Sequence, residues 1–148
     1  MKIKEIMSKD VISVKEDTPI SEIAQIMSRE KIHAVPVLDT NNKVLGIITE
    51  TDFFTKDSSN MVYMPSMIDF INSGKMKYGE EEKEAMHAVL HATAKDIMST
   101  KCENVSPEME VEDFVKLIKE RSFNSYPVTD ADGVLIGIIT VADAIKLL

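Results

Sequence analysis

Two short stretches join a hydroxyl to a carboxylate at the same spacing, Thr49-Glu50-Thr51-Asp52 and Thr140-Val141-Ala142-Asp143, each directly after Gly-Ile-Ile. An ionised carboxylate is an acceptor with room for several bonds, so it can take both hydroxyls of a vicinal diol such as a ribose. Thr49, three residues earlier, offers a further hydroxyl to the sugar or to a phosphate. The same pair at the start of a helix also caps it, because the carboxylate meets free amides and the positive end of the dipole. Neither use is catalysis. No nucleophile beside a base and no glycine-rich phosphate loop stands in the chain, so an enzyme is not expected. His87 and His91 share a helical face with Glu84 at a spacing that can chelate zinc, but no fourth ligand is evident, and a solvated face is the better reading. No metal or resident cofactor is expected.

The elements that must carry these motifs come as a repeat. Lys4-Glu5-Ile6-Met7-Ser8 returns as Lys95-Asp96-Ile97-Met98-Ser99, an offset of 91 that also takes Pro36-Val37 to Pro127-Val128 and Gly46-Ile47-Ile48-Thr49 to Gly137-Ile138-Ile139-Thr140. Each unit reads as β-α-β-β-α. Val11 to Val14 and Cys102 to Val105 are short extended pieces. Asp17 or Thr18 caps a helix with Pro19 in its first position, and Ser106-Pro107 opens the second copy. Strands follow at His33 to Leu38 and Ser125 to Thr129. Turns at Asn41-Asn42 and Asp132-Gly133 lead into Val44 to Thr49 and Val134 to Thr140. Thr51 to Thr55 and Val141 to Leu148 begin the closing helices. The fold class is therefore α/β in the α+β sense. Residues 1–57 form the first repeat, 58–93 a helical insert and 94–148 the second repeat. A unit of about 55 residues seldom buries enough surface to stand alone, so the two should pack about a pseudo-two-fold axis. In the insert, Met61, Met64, Met67, Ile68 and Ile71 make an apolar stripe suited to packing. A second helix is expected from Glu80 to about Ala94.

Composition narrows the function further. Over 148 residues the net charge is −8, which repels nucleic acid, so an anionic ligand must be held by a few well-placed donors. The first ten residues alternate lysine with apolar side chains, unlike a secretory signal, and no run approaches the roughly 20 apolar residues of a membrane span. The single cysteine, Cys102, cannot make an internal disulfide, which suits a reducing cytoplasm.

The paired Gly-Ile-Ile-Thr-x-x-Asp signature, the Asp-Ile-Met-Ser opening at Asp96 and the Pro-Val-x-Asp segments at Pro36 and Pro127 resemble the CBS domain, whose tandem pairs form the Bateman module. The resemblance covers about residues 1–57 and 92–148. It implies a non-catalytic sensor that binds an adenine nucleotide in clefts between the repeats, AMP in preference to ADP or ATP. It also implies a homodimer acting on a separate effector protein. By the family pattern Thr140 and Asp143 face Ser8, Val11, Lys31, His33 and Ala34. Thr49 and Asp52 face Ser99, Cys102, Ser122, Asn124 and Ser125. Ala34 stands where AMP-sensing kinase subunits have an arginine, which weighs against triphosphates. S-adenosylmethionine or a related nucleoside would suit a phosphate-poor cleft, and a ligand-free pair working through protein contacts is a third reading.

Overall fold

The computed structural model describes residues 1–53 and 91–148. The methionine stripe, most of the second insert helix, His87 and Glu84 lie outside the described residues. The first repeat runs through a 3₁₀ turn at Ile3–Glu5, β1 (Val14–Lys15), α1 (Ile20–Glu30), β2 (Ala34–Leu38), β3 (Val44–Thr49) and a 3₁₀ turn at Glu50–Phe53. The second has α2 (Ala94–Ile97), α3 (Val111–Arg121), β4 (Ser125–Thr129), β5 (Leu135–Thr140) and α4 (Val141–Ile145). Shifted by the offset, α1, β2 and β3 coincide with α3, β4 and β5. Even the bulges agree, between Val37 and Leu38 and between Val128 and Thr129.

The first sheet has the order β1-β2-β3 and the second β4-β5. The extended piece before each main helix is shorter than the sequence suggests. In the first repeat only Val14–Lys15 pairs with β2, and in the second only Val105 forms a bridge, to Val128. The helix starts also differ. Pro19 is the cap residue rather than the first helical one, with no side-chain bond at that end, and the Thr18 hydroxyl instead accepts from the Lys15 amide at 3.0 Å. Ser106 accepts from Glu108 at 3.2 Å in a turn, and α3 begins only at Val111. The reason is tertiary. The first amide of α1 donates to Ala92 at 3.1 Å, and that of α3 donates to Met1 at 2.9 Å.

These two bonds belong to a reciprocal exchange. The segment opening each repeat docks on the other repeat, so Ile3 is fully buried with Phe114, Tyr126, Val128 and Ile139, while Ala94 is fully buried with Ile23, Val35, Val37 and Ile48. Phe114 and Tyr126 meet edge to face at 5.1 Å in that second core. Ser8 and Ile138 exchange both backbone bonds at 2.9 Å, and Ser99 and Ile47 do the same at 2.9 and 3.0 Å. Near the axis itself Val44 donates to Gly133 and Leu135 to Asn42. Asn42 and Gly133 both adopt positive φ, 63° and 83°, the turn conformation expected of asparagine and glycine.

The exchange explains the glycine of the signature. A Cβ on Gly46 would lie 2.6 Å from the Ser99 carbonyl oxygen, and one on Gly137 would lie 2.6 Å from Met7 Sδ and 3.0 Å from the Ser8 carbonyl. Gly46→Ala is therefore expected to lower stability by about 2 kcal/mol or more, since backbone must move. Gly137→Ala should cost less, because a thioether can swing aside. Urea unfolding of both variants checks this, and equal midpoints would contradict it.

The first segment carries an added charge clamp. Lys2 and Lys4 each bond to Glu108 at 2.7 Å, and together they hold its carboxyl down at about 2. With the folded value depressed, this contribution is present above about pH 4.5 and is lost as pH falls toward 2. Glu108→Gln should accordingly lose less stability than the native protein between those pH values, most visibly at low salt. Thermal melts across the range test the point, and parallel pH profiles would refute it.

Candidate ligand site at the ends of β3 and β5

Both Thr-x-x-Asp motifs sit where a central strand turns directly into a helical turn. The Thr49 amide donates to Asp52 Oδ2 at 2.8 Å, and the Thr49 hydroxyl reaches the same oxygen at 3.3 Å. At the second motif the Thr140 amide and hydroxyl donate to Asp143 Oδ2 at 2.8 and 2.9 Å, and the Asp143 amide returns a bond to Thr140 Oγ1 at 3.2 Å. This is a capping box, worth roughly 1 kcal/mol. Thr93 and Asp96 repeat it at the start of α2, with bonds of 2.8 and 3.2 Å. The arrangement alone is thus a way of starting a helix. Asp52 and Asp143 differ from Asp96 in being half-buried, where Asp96 is exposed.

Capping occupies one oxygen of each carboxylate. Asp143 Oδ1 faces Lys146 Nζ at 3.6 Å, and Asp52 Oδ1 takes no hydrogen bond among the described residues. The hydroxyl proton of Thr140 is committed to Asp143, so toward a ligand this threonine can only accept.

The exchanged segments bring Ser8 beside Ile138, two residues before Thr140, and Ser99 beside Ile47, two residues before Thr49. Val11 and Cys102 follow on these segments, both half-buried, and burial pushes the Cys102 thiol up from its ordinary range. On the other side of each strand the register sets Ala34 opposite Thr49 and Ser125 opposite Thr140. The Asn124 carbonyl accepts from Val141 at 3.0 Å. Lys31 and Ser122 close α1 and α3 in the left-handed conformation, at φ 54° and 58°, both exposed.

His33 Nδ1 lies 2.5 Å from Glu50 Oε1. The family pattern sets Lys31, His33 and Ala34 against Asp143. In the structure Ala34 and His33 contact the end of their own β3, and no hydrogen bond or ion pair among the described residues links Lys31 or His33 to Asp143. Asn124 and Ser125 likewise lie against their own motif. Two charged residues beside these strand ends escaped the sequence reading, Glu50 and Lys146. A signal for them was present, because the two motifs differ in charge at these positions when aligned by the offset.

The CBS domain family matches residues 3–58 and 94–148. This chain belongs to it. An uncharacterized protein of Methanocaldococcus jannaschii is 32% identical over 100% of this CBS chain and 91% of its own length. The fold is that of solved CBS pairs. CBSX2 in complex with AMP superposes with a TM-score of 0.71 at 21% identity, covering 99% of this chain and 94% of its own. The CBS pair of protein MJ0100, in complex with methylthioadenosine and S-adenosyl-L-methionine, gives 0.69 at 21% identity, covering 99% and 94%. Among the described residues, no helix is long and apolar enough to cross a membrane and no group of three His, Cys, Asp or Glu could hold a metal.

Since the CBS capping box recurs outside the site, its stability role can be separated. Asp143→Ala and Asp96→Ala should each lower stability by about 1 kcal/mol. Denaturant titration of the two variants decides it, and an unchanged midpoint for Asp143→Ala would mean that the box contributes nothing.

Proposed function

We propose that the chain is a non-catalytic regulatory module that binds an adenine nucleotide, AMP in preference to ADP or ATP, in two clefts between its CBS repeats. The observation that carries this reading is the reciprocal backbone pairing of Ser8 with Ile138 and of Ser99 with Ile47. It supports a cleft in which the first segment of one repeat reads the base while the Asp of the other takes the ribose diol through its remaining oxygen. Two solved relatives of the same fold carry AMP or adenosyl ligands. The preference for a monophosphate rests on charge. Within an overall −8, few cations stand near the motifs, and each added phosphate adds repulsion.

S-adenosylmethionine is the second reading, favoured for the Asp52 side by the carboxylate of Glu50 beside Thr49. The module would act as a homodimer in the cytoplasm and pass its state to a separate effector protein. Ile145, Leu147 and Val115, exposed by 58%, 43% and 36%, support a self-association face.

Calorimetric titration with AMP, ATP and S-adenosylmethionine tests the proposal, with AMP expected to bind more tightly than ATP. Asp143→Ala should weaken AMP binding by about 1.5 to 3 kcal/mol, the value of a hydrogen bond to a charged group, while Asp96→Ala leaves it alone. No heat with any of the three would favour a ligand-free pair. Light scattering should give the mass of two chains.

A further inference from the structure

We infer that the two crossings are unequal in strength, and that residues 92–99 form a strap that opens from the first repeat while residues 1–8 stay docked on the second. The main chain alone gives no reason for a difference. Ile3 and Lys4 donate to Met109 and Pro107 at 2.9 and 3.1 Å, and Ala94 and Lys95 donate to the offset-matched Thr18 and Glu16 at 2.9 and 3.0 Å. Val111 donates back to Met1 at 2.9 Å, as Ile20 does to Ala92 at 3.1 Å. With the paired bonds at Ser8 and Ser99, each crossing makes the same set of backbone hydrogen bonds. The side chains differ.

The fully buried anchor is Ile3 in one crossing and Ala94 in the other, each followed by the same partly buried pair, Ile6 and Met7 or Ile97 and Met98. Burying isoleucine in place of alanine removes about three more carbons from water, worth roughly a thirtyfold or larger shift in an opening equilibrium. Ion pairs add to the same side. Lys2 and Lys4 hold Glu108, and the N-terminal amine meets Glu110 at 3.2 Å. Among the described residues no ion pair joins 92–99 to the first repeat, where Thr93 and Pro19 stand in the places of Lys2 and Glu110. A chain end ordinarily frays before an internal segment. Here the buried anchor reverses that order, because tethering an opened segment at both ends adds a cost that grows only slowly with loop length. Opening uncovers the Ile47 main chain, two residues before the Thr49 motif, and an apolar seat among Ile23, Val35, Val37 and Ile48. The fold thus carries a conformational switch on one side only.

Native-state hydrogen exchange of the full chain, followed by NMR, tests this on matched amides. After correction for intrinsic rates, Ala94, Lys95 and Ser99 should exchange about tenfold or more faster than Ile3, Lys4 and Ser8. Ile3→Ala should remove most of that difference, and Glu108→Gln should narrow it at low salt. Where Ile3→Ala does not fold, Ile3→Val takes its place and should speed exchange at Lys4 and Ser8 by about three- to tenfold while Lys95 and Ser99 keep their rates. A difference below tenfold in the native chain, or one of opposite sign, overturns the inference. So does an Ile3 variant that speeds both sets alike, since both crossings would then open only with the whole fold.

Discussion

The structure depends on an exchange of main-chain hydrogen bonds between repeats. The segment ahead of each repeat is stitched to the central strand of the other, Ser8 to Ile138 and Ser99 to Ile47, by paired bonds of 2.9 to 3.0 Å. Backbones can approach this closely because Gly46 and Gly137 present no side chain at the crossing. The bonds fix two apolar anchors, Ile3 and Ala94, in cores that belong to the opposite half of the chain. Each core is thus completed by a residue from the opposite repeat.

The same crossing lies next to both Thr-x-x-Asp motifs. It pins the opening segment of one repeat to the strand of the other two positions before each Thr-x-x-Asp motif, whose carboxylate is half-buried. The capping box then holds that carboxylate by one oxygen and leaves the other outside the cap. Thr93 and Asp96 show the same box without the burial.

Symmetry of backbone does not extend to charge. The offset that superposes the strands also sets Glu50 against Val141 and His33 against Asn124, so equal frames surround unequal fields.

Much of this was legible in the amino-acid order. The 91-residue offset, the strand ends at Thr49 and Thr140, the turns at Asn42 and Gly133 and the paired aspartates follow from repetition and local pattern, because hydrophobic period and turn chemistry are local properties. The helix starts were not. Asp17, Thr18 and Ser106 have the chemistry of caps, yet Ala92 and Met1 take the first helical amides, and partners so distant in sequence leave no local mark. Nor did the sequence by itself decide which residues face which motif. It specified two equal units with a carboxylate each, whereas only the tertiary structure decided that their opening segments cross over, that His33 meets Glu50 in its own repeat, and that Lys146 stands by Asp143. Those outcomes rest on hydrogen bonds and charges brought together through space, where burial and backbone pairing select the neighbours.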